Sequence, residues 1–165
     1  MAVAKEKTLD DLFLDTLKDV YHAEKQILKA LGKMTKSAES PEISQLFEQH
    51  RGETEGQIER LEQVFELLGK RPQGKPCEAM IGLVEEGKEI MDEFKGSPAL
   101  DAGLVSSAQA IEHYEIARYG TLRTWALELG LTDAAGLLQT TLDEEQATDL
   151  ALTSIATSVV NQNAE

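Results

Sequence analysis

The segment from Ala110 to Leu122, AIEHYEIARYGTL, sets the problem that the rest of the chain must solve. It is strongly helical, and it belongs to a three-four alternation of Leu104/Val105, Ala108, Glu112, Glu115, Tyr119, Leu122, Ala126 and Leu129. That spacing turns one helix face toward a core. Glu112 and Glu115 interrupt this face one turn apart. Carboxylates withdrawn from water are expensive unless something cationic meets them. The pattern therefore points to metal ions inside a helical bundle, and the other helices indicate where further ligands come from.

Each of the other long helical stretches carries the same kind of interruption. The first has the stripe Leu9, Phe13, Leu17, Val20, Glu24, Ile27, Leu31, Met34, broken only by Glu24. The second follows Ser40-Pro41, a cap with proline at the first helical position. Its stripe is Ile43, Phe47, His50, Glu53, Gln57, Leu61, Val64, Leu68, with a polar middle. The fourth reads Leu138, Leu142, Glu145, Asp149, Leu152, Ala156, Val159. Measured from the turns at Glu39 and Leu131, all seven charged or imidazole positions lie 11 to 19 residues away. At ~1.5 Å rise per residue, partners within each hairpin agree in height to about one turn. That shared height raises the group above its individual readings, since a lone Glu on a stripe is more often a surface group. Glu144 competes with Glu145, because adjacent residues differ only by rotation about the helix; the more apolar stripe favours Glu145.

The expected architecture is all-α, with one domain over 1–165 and helices over about 8–38, 41–68, 76–94, 98–129 and 132–160. Thr8, Ser40 and Thr132 are the expected N-caps, with Gly69 and Gly130 at helix ends. The shorter third segment is a crossover of ~28 Å joining the two hairpins, the connection that distinguishes a ferritin-like four-helix bundle. Bundles of that class place Glu on two helices and Glu-x-x-His on the other two. This chain departs from the pattern, with Glu-x-x-Glu on one helix and a reversed His50-x-x-Glu53 on another. Six carboxylates and one imidazole around two cations make hard, oxygen-rich ligation, which favours iron or manganese over copper or zinc. Gln57 and Gln109 read as outer hydrogen-bond donors or polar core rather than ligands, His22 and His113 as partly exposed, and the tyrosines as packing groups, one of which can hydrogen-bond a ligand.

Charge and cysteine content exclude several functions. The net charge of −14 repels nucleic acid and anionic membrane, so neither is expected as a partner. One cysteine, Cys77, permits neither an intrachain disulfide nor a thiolate zinc site. The opening residues MAVAKEKTLDD lack a signal's apolar core, and no stretch matches a membrane span. A cytoplasmic location is the expectation. A two-fold homodimer is also expected, with Met80, Ile81, Val84 and Phe94 as interface candidates.

The segments DVYHAEKQIL (19–28), ETEGQIERLEQVFE (53–66), EHYEIARYGTL (112–122) and LDEEQATDLALTSIA (142–156) give the chain a resemblance over nearly its whole length. It resembles the YciE/YciF-like family of bacterial stress proteins. That resemblance implies a ferritin-like bundle, a dimer and a di-metal centre, and it implies no particular reaction. The positions carried over are Glu24, His50, Glu53, Glu112, Glu115, Glu145 and Asp149. The expected function is a di-iron or di-manganese carboxylate protein linked to stress, with redox activity on oxygen or peroxide and an external electron donor. The alternatives are an iron-binding protein without turnover and a metal-free structural dimer.

Overall fold

The computed structural model describes residues 6–165. The leader reading rests partly on residues 1–5, which lie outside the described residues. Five α-helices follow in order: α1 (Leu9–Ser37), α2 (Pro41–Leu67), α3 (Glu78–Glu93), α4 (Leu100–Glu128) and α5 (Thr132–Ile155). A short π-helical segment, Ala156–Val160, extends the last. There is no strand among the described residues. The helices pair as two hairpins, α1 with α2 and α4 with α5, and the hairpins pack α1 on α4 and α2 on α5. The fold is the ferritin-like four-helix bundle with an added crossover helix.

Local chemistry explains where each helix stops. At the end of α2 the amides of Gly69 and Lys70 bond back to the carbonyls of Glu66 and Phe65, with Gly69 at φ 64°. The end of α4 repeats this, Gly130 bonding Leu127 and Leu131 bonding Ala126, with Gly130 at φ 73°. Both are Schellman closures, which need a left-handed residue that glycine adopts without strain. Thr132 is not the cap of α5 but its first residue; Leu131 takes the cap position, already fixed by the closure before it. The turn between α1 and α2 is held from outside. Asp101 of α4 accepts the amides of Glu39 and Ser40 at 2.9 and 2.7 Å.

The crossover is only half helical. After α2 the chain runs without regular structure along α1, where Lys75 N–H donates to the Lys18 carbonyl at 3.0 Å. Gly74 passes so close that a Cβ there would meet His22 Cβ at 3.2 Å. Cys77 then caps α3, its sulfur accepting from Met80 N–H at 3.4 Å. From there α3 lies on α1 and α4. It packs tightly on α4 at Gly103, where a Cβ would stand 2.6 Å from Ile90 Cγ2. Met80 is fully buried within the chain's own core, so it is withdrawn from the expected interface; Ile81 and Phe94 are exposed.

Two apolar clusters fill the bundle. One gathers Ile27, Leu31, Met34, Ile43, Phe47, Leu104 and Leu152 together with α3. The other gathers Phe13, Leu17, Leu61, Phe65, Tyr119, Leu122 and Leu138. Between them on every long helix lies a polar step: Glu24 on α1, His50 to Gln57 on α2, Glu112 and Glu115 on α4, Glu145 and Thr148 on α5.

Candidate metal centre

Four side chains converge at that step. His50, Glu112, Glu115 and Glu145 are all buried, and each offers a ligand atom within 4.8 Å of the others. Ligands bound to one ion at roughly 2.1 Å stand about 4.2 Å apart when opposite, so this group needs only a small contraction to close on a cation. Glu24 completes the buried carboxylates, lying against Glu115 and accepting a hydrogen bond from the Tyr119 hydroxyl. Tyr119 is thus the tyrosine that bonds a ligand candidate.

The oxygen and nitrogen atoms of this layer have few partners of their own. Glu24 Oε2, Glu112 Oε2, and both oxygens of Glu115 and of Glu145 are sealed from water with no hydrogen bond among the described residues. His50 Nε2 lies 2.8 Å from Glu112 Oε1 and 3.8 Å from Glu145 Oε2, yet it makes no well-directed hydrogen bond. Donors that crowd together without pointing at one another fit a common cation better than mutual bonding. Buried polar atoms are otherwise almost always satisfied.

Electrostatics tell the same story from the proton's side. Burial pushes Glu24 up to about 7, with Tyr119 and Glu115 limiting the rise. Burial and the Glu145 charge hold Glu115 well above the carboxylate range, and burial with Glu112 does the same for Glu145. Burial also works against the His50 cation, but Glu112 and Glu53 outweigh it and leave the imidazole well above its usual value. His50, Glu115 and Glu145 are thus pushed toward their protonated forms in the places where a metal would put positive charge.

Two of the seven expected ligands stand outside the buried group. Glu53 has its side chain 29% exposed and Oε2 3.5 Å from His50 Nδ1. Thr148 bridges them, 3.5 Å from Nδ1 and donating to Glu53 Oε2 at 3.3 Å. Glu53 is held below the usual carboxylate range by His50, the arrangement in which an outer carboxylate orients a ligand histidine. Asp149 turns outward, 3.2 Å from the exposed His113 and within reach of Gln109. Glu144 also faces away: Arg60 grips it at 2.8 and 2.5 Å. Glu145 is therefore the inward residue of that pair. The buried stripes of α2 and α5 run through Thr54 and Thr148, which the sequence reading passed over.

The profile of the family described as a domain of unknown function, DUF892, matches residues 8–165. The chain belongs to the DUF892 family. Beyond the DUF892 match, it is 46% identical over 160 residues to protein YciF of Escherichia coli (strain K12), covering 96% of each chain. The crystal structure of the E. coli stress protein YciF superposes with a TM-score of 0.90 at 45% identity, over 95% of this chain and 99% of that one. YcfI from Rhodopseudomonas palustris, described provisionally as a structural protein, matches at 0.89 and 47% identity, over 94% and 99%. A Xanthomonas campestris protein at 22% identity, covering 93% and 94%, shares the fold with a TM-score of 0.72. No helix among the described residues is long and apolar enough to cross a membrane.

Proposed function

We propose that this DUF892 chain is a di-metal carboxylate protein that holds two iron or manganese ions in the layer between its apolar clusters. The observation that carries the reading is the set of buried carboxylate and imidazole atoms without partners. Charge supports it. Four buried glutamates, Glu24, Glu112, Glu115 and Glu145, balance two divalent cations, with His50 as a neutral donor. With Glu53 and Asp149 outside, the surplus charge that six carboxylates imply disappears. Oxygen-rich ligation with one nitrogen suits iron or manganese.

When bound, such ions supply one-electron redox chemistry toward oxygen or peroxide. The chain's part is to place and protect. Glu53 and Thr148 fix the His50 ring, Tyr119 orients Glu24, and the flanking apolar clusters exclude water. Tyr119 also keeps a proton on its oxygen, because burial holds its hydroxyl well above the usual phenol range. Elemental analysis of protein purified without added metal tests the reading; about two iron or manganese per chain is expected. Protein that stays metal-free, and whose melting is unmoved by ferrous or manganous ion, would leave a structural role, the reading that YcfI's description favours. Oxygen or peroxide consumption by the loaded protein separates a redox enzyme from simple metal binding.

A further inference from the structure

One buried group near the layer is used by nothing described so far. Gln57 is fully buried on α2, one turn beyond Glu53 and directly after Thr54 on the buried stripe. Its Nε2 donates to Glu144 Oε2 at 3.1 Å. An ionised carboxylate only accepts, so the amino end of this amide must face Glu144 and the carbonyl must face away. That carbonyl oxygen, Oε1, is closed off from water and has no partner among the described residues.

The orientation is locked from outside. Arg60 holds Glu144 through two nitrogens and also donates to Thr141 Oγ1 at 3.1 Å. Turning the amide over would set its oxygen against the Glu144 carboxylate and lose that bond. Arg60 follows Gln57 by one turn on α2 and Glu144 adjoins the inward Glu145 on α5, so this latch stands at the edge of the layer. A leucine at this position would fill a buried site without leaving an unpaired oxygen. The chain instead carries an amide, with a side chain, an ion pair and a hydroxyl committed to aiming it.

We infer that Gln57 is a further ligand of the layer, presenting a neutral carbonyl oxygen to a divalent cation, with the Arg60–Glu144 pair as the device that points it inward. The inference rests on the di-metal reading above. Neutral oxygen is what the layer lacks. Four carboxylates already balance two divalent cations, and a fifth would leave excess negative charge, whereas an amide carbonyl adds coordination without charge. Carbonyl oxygen is a ligand that manganese and other hard cations accept. The amide's role is thus the reverse of the outer donor that its position on the stripe predicts: the N–H serves the latch and the oxygen serves the site.

The test is Mn²⁺ binding to the full chain, measured by competition with a chelator, alongside melting of the metal-stripped protein. Wild type is compared with Gln57→Leu and Gln57→Glu. A ligand role predicts that Gln57→Leu weakens at least one Mn²⁺ site tenfold or more while the stripped protein melts at or above the wild-type temperature. Gln57→Glu restores an oxygen, so it should bind at least as tightly as wild type but melt lower without metal, being opposed to Glu144. Arg60→Gln, which loosens the latch, should weaken binding several-fold with Gln57 intact. A packing role predicts the other order, with Mn²⁺ affinity the same in all four proteins; that result overturns the inference and leaves the metal centre standing. If wild type binds no Mn²⁺ or Fe²⁺, both readings fall together. Should Gln57→Leu not melt cooperatively, Gln57→Met, equally long and without a carbonyl, replaces it.

Discussion

Replacing Glu24 with glutamine should remove a defined part of the metal-stripped protein's sensitivity to alkaline pH. Glu24 is fully buried, and burial raises its pKa from 4.5 to about 7. The unfolded chain ionises near 4.5 while the native chain keeps its proton up to about 7, so between these values the native state binds more protons. Stability therefore falls as pH rises through that window, and the loss is complete above about 7. A shift of this size corresponds to about 3 kcal/mol, or a fall of roughly 6–12 °C in melting temperature for a domain of this length. Glutamine still accepts from the Tyr119 hydroxyl but never ionises. In chelator-treated protein, wild type and Glu24→Gln should melt alike near pH 4.5, and the variant should lead by roughly that margin at pH 8. Thermal melts followed by circular dichroism at half-unit pH steps provide the comparison. Glu115 and Glu145 feel the Glu24 charge themselves, so the variant also eases their ionisation, and the gap at pH 8 reads Glu24 together with its hold on those neighbours. A constant gap between the curves from pH 4.5 to 8 would refute the argument, because it would mean that Glu24 ionises in the native state as it does in the unfolded one.

Two further substitutions probe other links in the argument. Glu53→Ala removes the carboxylate behind His50 without touching the buried cluster; Mn²⁺ affinity should fall about 10- to 100-fold rather than vanish, read by the same chelator competition. Gly103→Ala sets a methyl 2.6 Å from the branched Ile90 side chain, and overpacking of this kind costs about 1–3 kcal/mol, offset by up to about 1 kcal/mol of helix propensity. Urea unfolding should show a net loss that largely disappears when Ile90→Ala is added.

The long helices, their closing glycines and the height of the polar layer are legible because each rests on local chemistry: a 3.6-residue period, a left-handed residue, a fixed rise. The rotation of each side chain within the layer is not. On α2 both Glu53 and Thr54 fit a stripe running from His50 to Gln57, and on α5 both Thr148 and Asp149 follow Glu145 at helical spacing. Periodicity alone cannot choose between neighbours about 100° apart. In both cases the structure buries the threonine and leaves the carboxylate at the flank. A lower cost of burying a hydroxyl that can bond its own helix, as Thr54 does to the His50 carbonyl at 2.9 Å, was the available signal. The apolar stripe already favours Glu145 over Glu144, but the Arg60 grip that holds Glu144 outward comes from 84 residues away and is visible only in the tertiary structure. The short helix after KRPQGK is legible to within two residues at its start, but the course of the linker itself is not, because it is set by one backbone bond to Lys18 and by the absence of a side chain at Gly74.

The division of the interior into two apolar blocks gives the bundle a seam. Every long helix crosses it, but α3 belongs to one block only. Without a cation the seam is held by shared protons and a few hydrogen bonds, and the blocks are free to open with different free energies. Amide hydrogen exchange on the stripped protein should then resolve two protection levels, one for amides around Leu17, Phe65 and Leu122 and another around Ile27, Phe47 and Leu104. Filling the seam with metal ties four helices to one centre and merges the two levels into one. On this view the ligands serve as a clasp for folding cooperativity as well as a seat for chemistry, and metal starvation would loosen half of the molecule before the other half.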